Sequence, residues 1–262
     1  MRVHVVSDVH GNADALARAG DGADALIVLG DLLDFVDYRR HGNGILGTLF
    51  GEEKVSEFAR LRREGTRDET VAFARSLWGS LADPGGAVDE AIREQYEKLF
   101  AALTAPVYLT PGNVDTPALW PEFAGPGAQI LDGEVAEIGG LRVGFVGGAL
   151  LPDGVKPRPN PVWRPYLRPR EEFDASVAKL TDIDVLCSHI PPAVPQLTYD
   201  VVARRAEPGS DALLELIRSE QPRWSVFGHV HQPLAARARL GRTECRNVGH
   251  FKETAQPYVL RW

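Results

Sequence analysis

Five short polar motifs follow apolar runs along the chain. They are Asp8-Val9-His10, Gly30-Asp31-Leu32-Leu33-Asp34, Gly112-Asn113-Val114-Asp115, Ser188-His189 and Gly228-His229-Val230-His231. Carboxylate, imidazole and amide groups bind metal ions in proteins, and loops at the ends of adjacent strands bring such groups to one point. A single Gly-Asp pair after a strand is more often a turn than a ligand. All five motifs, each behind a strand-like run, together predict one metal centre.

The runs in front of these motifs are short, apolar and partly β-branched, which is typical of strands buried on both faces. They cover residues 3–6, 25–29, 107–110, 185–187 and 224–227. A short helix is predicted over residues 12–19, with Asn12 or Asp14 as its N-cap and its end near Gly20. The order strand, helix, strand predicts a parallel sheet in the first half of the chain.

The second half shows a different pattern, in which alternating runs flank glycine turns. Residues 134–138 and 141–146 around Gly139-Gly140 predict one β-hairpin, and residues 234–240 and 243–248 around Gly241 predict another. Residues 258–262 are predicted to form a closing strand. The fold class is therefore α/β, with two sheets packed together and helices outside them.

Two segments are longer than ordinary connections. Residues 38–104 carry helical patterning at 54–63, 68–81 and 87–103, which predicts a helical insertion. Residues 152–169 are rich in proline and arginine and predict an extended, semi-rigid loop.

Composition limits the function classes. The chain has 262 residues, of which 44% are hydrophobic, enough for one large α/β domain. Its net charge of −7 argues against a broad nucleic-acid or anionic-membrane interface, because such binders usually present a basic face. No apolar stretch is long enough for a transmembrane helix. Cys187 and Cys245 are too few for a disulfide framework and predict reduced thiols, which favours the cytoplasm.

Taken together, the five motifs resemble those of the calcineurin-like metallophosphoesterase superfamily, and the resemblance covers nearly the whole chain. It implies a four-layer α-β-β-α sandwich of two mixed β-sheets flanked by helices, as a single domain over residues 1–262. It also implies two metal ions that share one bridging carboxylate. The first ion would be held by Asp8, His10, Asp31 and His231, and the second by Asp31, Asn113, His189 and His229.

The chemistry implied is hydrolysis of a phosphate ester by a metal-bound hydroxide that bridges the two ions and attacks phosphorus in line. Mixed carboxylate and imidazole ligands favour Mn, Fe or Zn, because Ca²⁺ and Mg²⁺ prefer oxygen ligands alone. Two cations about 3.5 to 4 Å apart lower the pKa of a shared water and neutralise the phosphate oxygens. Asp31, Asn113 and His189 are the predicted catalytic residues.

The chain departs from the family pattern at Val114, where many members have a histidine that protonates the leaving oxygen. A missing general acid penalises esters with poor leaving groups most. This departure favours a phosphodiesterase over a phosphomonoesterase or protein phosphatase, which stays an alternative together with a non-catalytic interaction scaffold. His41 and His250 are the candidate replacement acids, and Asp115, having lost its partner, is not predicted to be catalytic.

Predicted substrate contacts come from Asn12, Arg39 and Asn113. Asn12 has a second interpretation as a helix cap, and Arg39 as a solvated surface charge. Asp34 either orients a metal ligand or caps the following turn. The expected partner is a small-molecule phosphate ester or a nucleotide, whereas a nucleic-acid substrate, bound through the arginine-rich loop, is the less favoured interpretation.

Overall fold

The computed structural model describes residues 1–104, 106–152, 154–156 and 161–262. Its strands are β1 (Arg2–Val6), β2 (Ala25–Val28), β3 (Val107–Leu109), β4 (Ala128–Ile130), β5 (Glu134–Ile138), β6 (Leu141–Val146), β7 (Ala149–Leu150), β8 (Leu167–Arg168), β9 (Val185–Ser188), β10 (Tyr199–Asp200), β11 (Arg205–Ala206), β12 (Trp224–Phe227), β13 (Arg237–Leu240), β14 (Thr243–Asn247) and β15 (Tyr258–Arg261). Its α-helices are α1 (Ala13–Ala19), α2 (Gly44–Phe50), α3 (Glu52–Glu64), α4 (Arg67–Gly79), α5 (Pro84–Ala101), α6 (Trp120–Phe123), α7 (Arg170–Val177), α8 (Pro195–Thr198), α9 (Asp211–Glu220) and α10 (Phe251–Thr254). A 3-10 helix at Pro117–Leu119 precedes α6.

The first sheet has the strand order β15-β1-β2-β3-β4, and β1 to β4 run parallel. Helix α1 makes the crossover between β1 and β2, capped by Asn12, whose side chain accepts a hydrogen bond from the Ala15 amide. The terminal strand β15 joins antiparallel to β1. The predicted parallel sheet and closing strand are confirmed.

The second sheet has the order β13-β14-β12-β9-β6-β5, with the four central strands parallel and the two edge strands antiparallel. Both predicted hairpins are present. The second is shorter than predicted, since β13 begins at Arg237 rather than at residue 234. The Leu234 amide donates to the carbonyl of Tyr199 in β10, so this residue is hydrogen-bonded to β10 and not to β14.

Three apolar clusters arrange these sheets and helices in four layers. Alternate residues of β1 point to opposite faces: Val5 packs between the two sheets against Phe145 and Cys187, whereas Val6 packs outward against helices. A separate cluster joins the outer face of the second sheet to α7 and α9. The predicted α-β-β-α sandwich of two mixed sheets is confirmed.

Four helices, α2 to α5, lie between β2 and β3, where the helical insertion was predicted. Helices α3, α4 and α5 match the three predicted helices, but α5 begins at Pro84 and not at residue 87, because Asp83 caps it and a proline suits the first helical position. The glycine-rich α2 was not predicted. Its Gly47 lies against the Gly42 backbone, where an added Cβ would be 2.4 Å from the Gly42 carbonyl carbon.

The proline-rich segment is only partly an extended loop. Its end forms β8, which pairs with β7, and the Trp163 ring stacks on Phe35 with centroids 3.9 Å apart. Arg168 is bound within the protein, with Nη1 3.0 Å from Asp132 Oδ1 and Nη2 2.6 Å from Ser176 Oγ. That arginine is therefore not available to a nucleic acid. The prediction for residues 153 and 157–160 lies outside the described residues.

Cys187 and Cys245 are both buried free thiols, and they lie in separate apolar clusters. Burial raises the pKa of Cys187 above its ordinary value and that of Cys245 to about 12, so both stay protonated at neutral pH. None of the helices described is long and apolar enough to cross a membrane.

Candidate metal centre

The predicted metal ligands meet where strands from both sheets end. Asp8 follows β1, Asp31 follows β2 and Asn113 follows β3 in the first sheet, while His189 and His229 follow β9 and β12 in the second. The carboxyl ends of parallel strands share one edge of their sheet. Packing the sheets face to face therefore brings both sets of loops to one place. We call the seven residues the donor cluster: Asp8, His10, Asp31, Asn113, His189, His229 and His231.

The backbone of this cluster is unusual. Asp8, His10, Asp31 and His229 have φ angles of 57°, 40°, 51° and 66°. Residues other than glycine rarely adopt a positive φ. Each residue that does so costs about 1 to 3 kcal/mol of folding free energy. Strain of this kind concentrates at functional sites, so its presence at four of the seven residues supports a function for the cluster.

Two motif glycines allow the first-sheet loops to touch. A Cβ added at Gly30 would lie 1.9 Å from the Gly112 nitrogen, and one at Gly112 would lie 2.2 Å from Asp31 Oδ1. Any side chain at either position would force the loops apart. The two glycines therefore set the spacing of Asp31 and Asn113.

Two imidazoles are oriented by backbone carbonyls. His10 Nδ1 lies 2.9 Å from the Leu33 oxygen, and His189 Nδ1 lies 2.8 Å from the Leu29 oxygen. A ring that donates from Nδ1 keeps the Nε2 lone pair free to bind a metal. His189 Nε2 then lies 3.0 Å from another acceptor, Asn113 Oδ1. Two acceptors at this distance suit a cation that both can coordinate.

Asp31 occupies the shared position. Its Oδ1 accepts a hydrogen bond of 2.7 Å from the Val114 amide. Its Oδ2 faces both groups of ligands, 3.8 Å from His10 Nε2 and 3.5 Å from His189 Nε2. Asp8 Oδ1 is 3.4 Å from His231 Nε2, and one oxygen each from Asp8 and Asp31 lies within 4.8 Å of a His189 nitrogen. This arrangement fits the predicted bridging role of Asp31.

The electrostatics also fit a cation. Burial, reinforced by the charges of Asp8 and Asp115, raises the pKa of Asp31 well above its ordinary value. Burial lowers the pKa of both His10 and His229 to about 3, so these rings are neutral at pH 7. The buried His229 Nε2 has no hydrogen-bond partner among the residues described. Crowded carboxylates beside neutral imidazoles form a site to which divalent metal ions bind favourably.

His250 is an additional neighbour of the cluster. Its ring stacks on His231 with centroids 3.8 Å apart and meets His10 edge-on at 5.5 Å. One nitrogen from each of these three rings lies within 4.8 Å of the others. Burial, together with the charge of His231, lowers the pKa of His250 to about 4. The imidazole is therefore neutral at pH 7.

Asp115 has a structural role. Its Oδ1 accepts hydrogen bonds from the amides of Leu32 (2.9 Å) and Leu33 (3.3 Å), and its Oδ2 accepts one from Gly112 (2.8 Å). This carboxylate ties the loop after β2 to the loop after β3. The contacts agree with the prediction that Asp115 is not catalytic.

Asp34 is occupied by an ion pair. Lys252 Nζ lies 2.8 Å from Asp34 Oδ2 and 2.9 Å from Asp37 Oδ2. The Lys252 amide also donates to the Asp8 carbonyl, so α10 is tied to the first two motifs. Lys252 was missed by the sequence analysis, and the available signal was its position two residues after the candidate acid His250.

The residues predicted to contact substrate or to act as acids differ in whether they have protein partners and in whether they line the site. Asn12 uses Oδ1 to cap α1 and donates from Nδ2 to the Lys252 carbonyl (3.0 Å), so both of its polar groups have protein partners. Arg39 pairs with Glu253 at the edge of the site and is 69% exposed. Asn113 and His250 line a cavity that opens from the donor cluster, whereas His41 is not among its lining residues.

A cavity of about 690 Å³ opens from the donor cluster. Val114 and the stacked pair Phe35 and Trp163 are among the apolar residues that line it. The outer part is bounded by Tyr38 and Arg62 from the insertion side and by residues of the β10–β11 hairpin. The volume lies within the range of small-molecule sites. The sequence analysis missed these lining residues, because no motif connects positions so far apart.

The family model for calcineurin-like phosphoesterases matches residues 1–233. The chain belongs to this family, whose chemistry is metal-dependent hydrolysis of phosphate esters.

Two examples illustrate the solved structures that are similar to the chain. The crystal structure of TT1561 of Thermus thermophilus is 14% identical, with a TM-score of 0.55 over 99% of this chain and 98% of that one. A putative 5'-nucleotidase from Staphylococcus aureus, in complex with alpha-ketoglutarate, is 13% identical, with a TM-score of 0.44 over 95% of this chain and 48% of that one. No curated protein sequence matches the chain.

Proposed function

We propose that the protein is a phosphodiesterase with two metal ions in the donor cluster. Asp8, His10, Asp31 and His231 would hold one ion, and Asp31, Asn113, His189 and His229 the other. The observation that carries the proposal is the position of Asp31 Oδ2 between His10 and His189. Mixed nitrogen and oxygen ligands favour Mn, Fe or Zn.

When bound, such ions would acidify an attacking water and neutralise the phosphate oxygens during in-line displacement. The chain's own residues would position the ester. Asn113 lines the cavity and keeps Oδ1 close to His189, which leaves its amide nitrogen to donate to a phosphate oxygen. Arg39 would have to break its ion pair with Glu253 before its guanidinium group could bind the substrate.

The preference for diesters rests on Val114 and on the shape of the cavity. Val114 puts an apolar side chain at the place where many relatives carry an acid, and its amide is already bound to Asp31. A general acid contributes about 10²- to 10⁴-fold, mostly for poor leaving groups. A diester carries two organic groups, and the side of the cavity formed by Phe35 and Trp163 offers an apolar surface for one of them.

Of the two candidate replacement acids, we favour His250. It lines the cavity and stacks on His231, whereas His41 lies outside the lining. With a pKa near 4, His250 would act as a neutral N–H donor to an ester oxygen and not as an imidazolium acid.

We further propose that the protein acts in the cytoplasm on a small-molecule ester or nucleotide. The two buried free thiols are compatible with a reducing compartment. The net charge of −7 disfavours a long nucleic acid as substrate.

The test compares hydrolysis of bis-p-nitrophenyl phosphate and p-nitrophenyl phosphate after loading with Mn²⁺. We expect faster turnover of the diester and two transition-metal ions per chain by elemental analysis. Faster turnover of the monoester would support the phosphomonoesterase alternative. If two ions are bound and neither substrate is hydrolysed, the enzyme hypothesis is contradicted. Failure to bind metal would favour a non-catalytic scaffold.

A further inference from the structure

The outer end of the cavity brings together residues from two separate excursions of the chain. Tyr38 follows β2, and Arg62 lies in the last turn of α3, inside the helical insertion. Val202, Ala203 and Arg205 belong to the β10–β11 hairpin on the other side. All five line the same cavity as the donor cluster. We call these five residues the distal wall.

Tyr38 and Arg62 are in direct contact. Arg62 Nη1 donates to the Tyr38 hydroxyl at 2.7 Å, and the Arg62 Cζ atom lies 5.6 Å from the centre of the Tyr38 ring. Partial burial raises the pKa of Tyr38, and the charges of Arg62 and Arg205 both oppose that rise. Both guanidinium groups therefore lie close enough to Tyr38 for their charges to act on its hydroxyl.

Arg205 lies on the hairpin and lines the same cavity as Tyr38 and the donor cluster. Its side chain is 65% exposed, and its Nε lies 2.8 Å from Glu207 Oε1.

The carboxylates that line the cavity outside the donor cluster already have partners. Glu253 pairs with Arg39, and Glu207 pairs with Arg205. Asp34 and Asp37 both pair with Lys252. Asp200 accepts hydrogen bonds from the backbone amides of residues 202, 203 and 232.

Arg62 differs from the other cations, because within the described part of the chain its hydrogen-bond partner is the neutral Tyr38 hydroxyl. Its side chain lines the cavity and forms no ion pair with any carboxylate of the residues described. Guanidinium groups bind phosphate through two parallel hydrogen bonds, which makes an arginine in this position suited to an anion.

We propose that the distal wall binds a second phosphate group, carried by the organic part of the ester, with Arg62 as its main contact and Arg205 and Tyr38 assisting. The inference rests on the proposed function, since it places the reacting phosphate at the donor cluster. It assigns the helical insertion a role in substrate choice. The substrate class is an organic phosphate ester that carries a second phosphate on its organic part.

A matched pair of chromogenic esters tests the proposal. One is the p-nitrophenyl ester of thymidine 5'-phosphate, and the other is the same ester with an added 3'-phosphate. For the metal-loaded protein we expect kcat/KM to be about tenfold or more higher for the ester with the added phosphate. Arg62→Met should remove most of this advantage, and Arg205→Met a smaller part.

Arg60 supplies the control, because it lies two residues earlier on α3, outside the cavity lining, and pairs with Glu57. Arg60→Met removes the same charge and should keep the advantage. Loss of the advantage in Arg60→Met to the same extent as in Arg62→Met would overturn the proposal, as would equal kcat/KM for the two esters in the wild-type protein.

A binding measurement separates this proposal from the proposed function. Calorimetry on the Mn²⁺-loaded protein compares thymidine 3',5'-bisphosphate with thymidine 5'-phosphate. We expect tighter binding of the bisphosphate in the wild type and in Arg60→Met, and equal binding of both ligands in Arg62→Met. If neither ester is hydrolysed, the phosphodiesterase proposal fails, while equal binding of the two ligands by the wild type would reject the distal site.

Discussion

The two ends of the cavity differ in how the chain builds them. The donor cluster lies at the ends of the central strands, and residues such as Asp8 and His189 are at most 1% exposed. The distal wall lies on the helical insertion and on a two-stranded hairpin, with Tyr38 50% and Val202 74% exposed. Groups that bind metals need fixed positions, which strands in a packed core provide. Groups that select a substrate can lie on excursions that tolerate change.

The difference has an energetic side. In the donor cluster, positive φ angles and buried carboxylates act against folding of the metal-free chain. The distal wall is exposed and its charges remain solvated, so its residues cost little stability. Substitutions should therefore affect function and stability in opposite directions in the cluster, and function alone in the wall.

The largest effect is expected from Asp31→Asn. Losing the shared carboxylate should weaken metal binding and cost several kcal/mol of transition-state stabilisation, so hydrolysis of bis-p-nitrophenyl phosphate should fall by about 10³-fold or more. Steady-state kinetics on the Mn²⁺-loaded protein measure this. A fall no larger than that of Asp14→Asn, which removes the same charge from an exposed helix position, would contradict the assignment of Asp31.

Asp31→Asn also tests the difference between the donor cluster and the distal wall through its effect on folding stability. The pKa of Asp31 is raised in the folded protein by burial and by neighbouring carboxylates, so the unfolded chain loses this proton at lower pH. The metal-free wild type therefore loses stability as pH rises from about 4, the unfolded value, through the folded pKa. At pH 7, metal-free Asp31→Asn should be more stable than the wild type in urea denaturation, and added Mn²⁺ should stabilise only the wild type.

Val114→His is expected to have the next largest effect. It would supply the group that many relatives have at this position, and a general acid raises rates by about 10²-fold or more for poor leaving groups. Hydrolysis of an alkyl ester should therefore increase relative to that of a p-nitrophenyl ester, as measured by kcat/KM for both. Val114→Leu is the control, since it keeps an apolar side chain, and an equal change in that variant would argue against the missing-acid interpretation.

The same contrast explains what the sequence could predict. The strands and the donor cluster were predictable because each motif directly follows its strand. A motif in that position must lie at the end of that strand in the folded protein. The φ values at Asp8 and Asp31 and the stacking of His250 on His231 depend on both sheets meeting. No local pattern carries that information.

The distal wall was not predictable for a related reason. The pair formed by Tyr38 and Arg62 joins positions 24 residues apart through the packing of α3, and Arg205 comes from the other half of the chain. Exposed arginines are common and carry no motif. Helix α2 escaped prediction because its glycines weaken the helical pattern and its Asn43 cap makes no side-chain hydrogen bond.

Lys252→Met tests the link between α10 and the first motifs. The Lys252 side chain is 19% exposed, and those of Asp34 and Asp37 are 9% and 5% exposed, so both carboxylates would lose a largely buried partner. We expect a loss of about 2 to 4 kcal/mol in the free energy of unfolding, measured by urea denaturation. Arg39→Met, which breaks an exposed pair with Glu253, should cost less than about 1 kcal/mol.

A second substitution checks the cause of that loss. Asp34→Asn in the Lys252→Met background removes one of the two stranded charges and should recover part of the stability. Burial raises the pKa of Asp34, so protonation at lower pH should recover part of it as well. If neither change restores stability, the loss comes from packing of the lysine stem rather than from the unpaired carboxylates.

Asn12→Ala is expected to have the smallest effect and decides between the two interpretations of this residue. As the N-cap of α1, Asn12 should be worth about 1 kcal/mol, similar to Thr66→Ala at the cap of α4 in the insertion. Thermal or urea denaturation measures both variants. Asn12→Asp keeps the capping oxygen but loses the Nδ2 donor to the Lys252 carbonyl, so it should restore only part of that stability. If Asn12 contacts substrate phosphate, KM for the diester should rise in both Asn12 variants and stay unchanged in Thr66→Ala, whereas a pure cap leaves KM unchanged in Asn12→Ala.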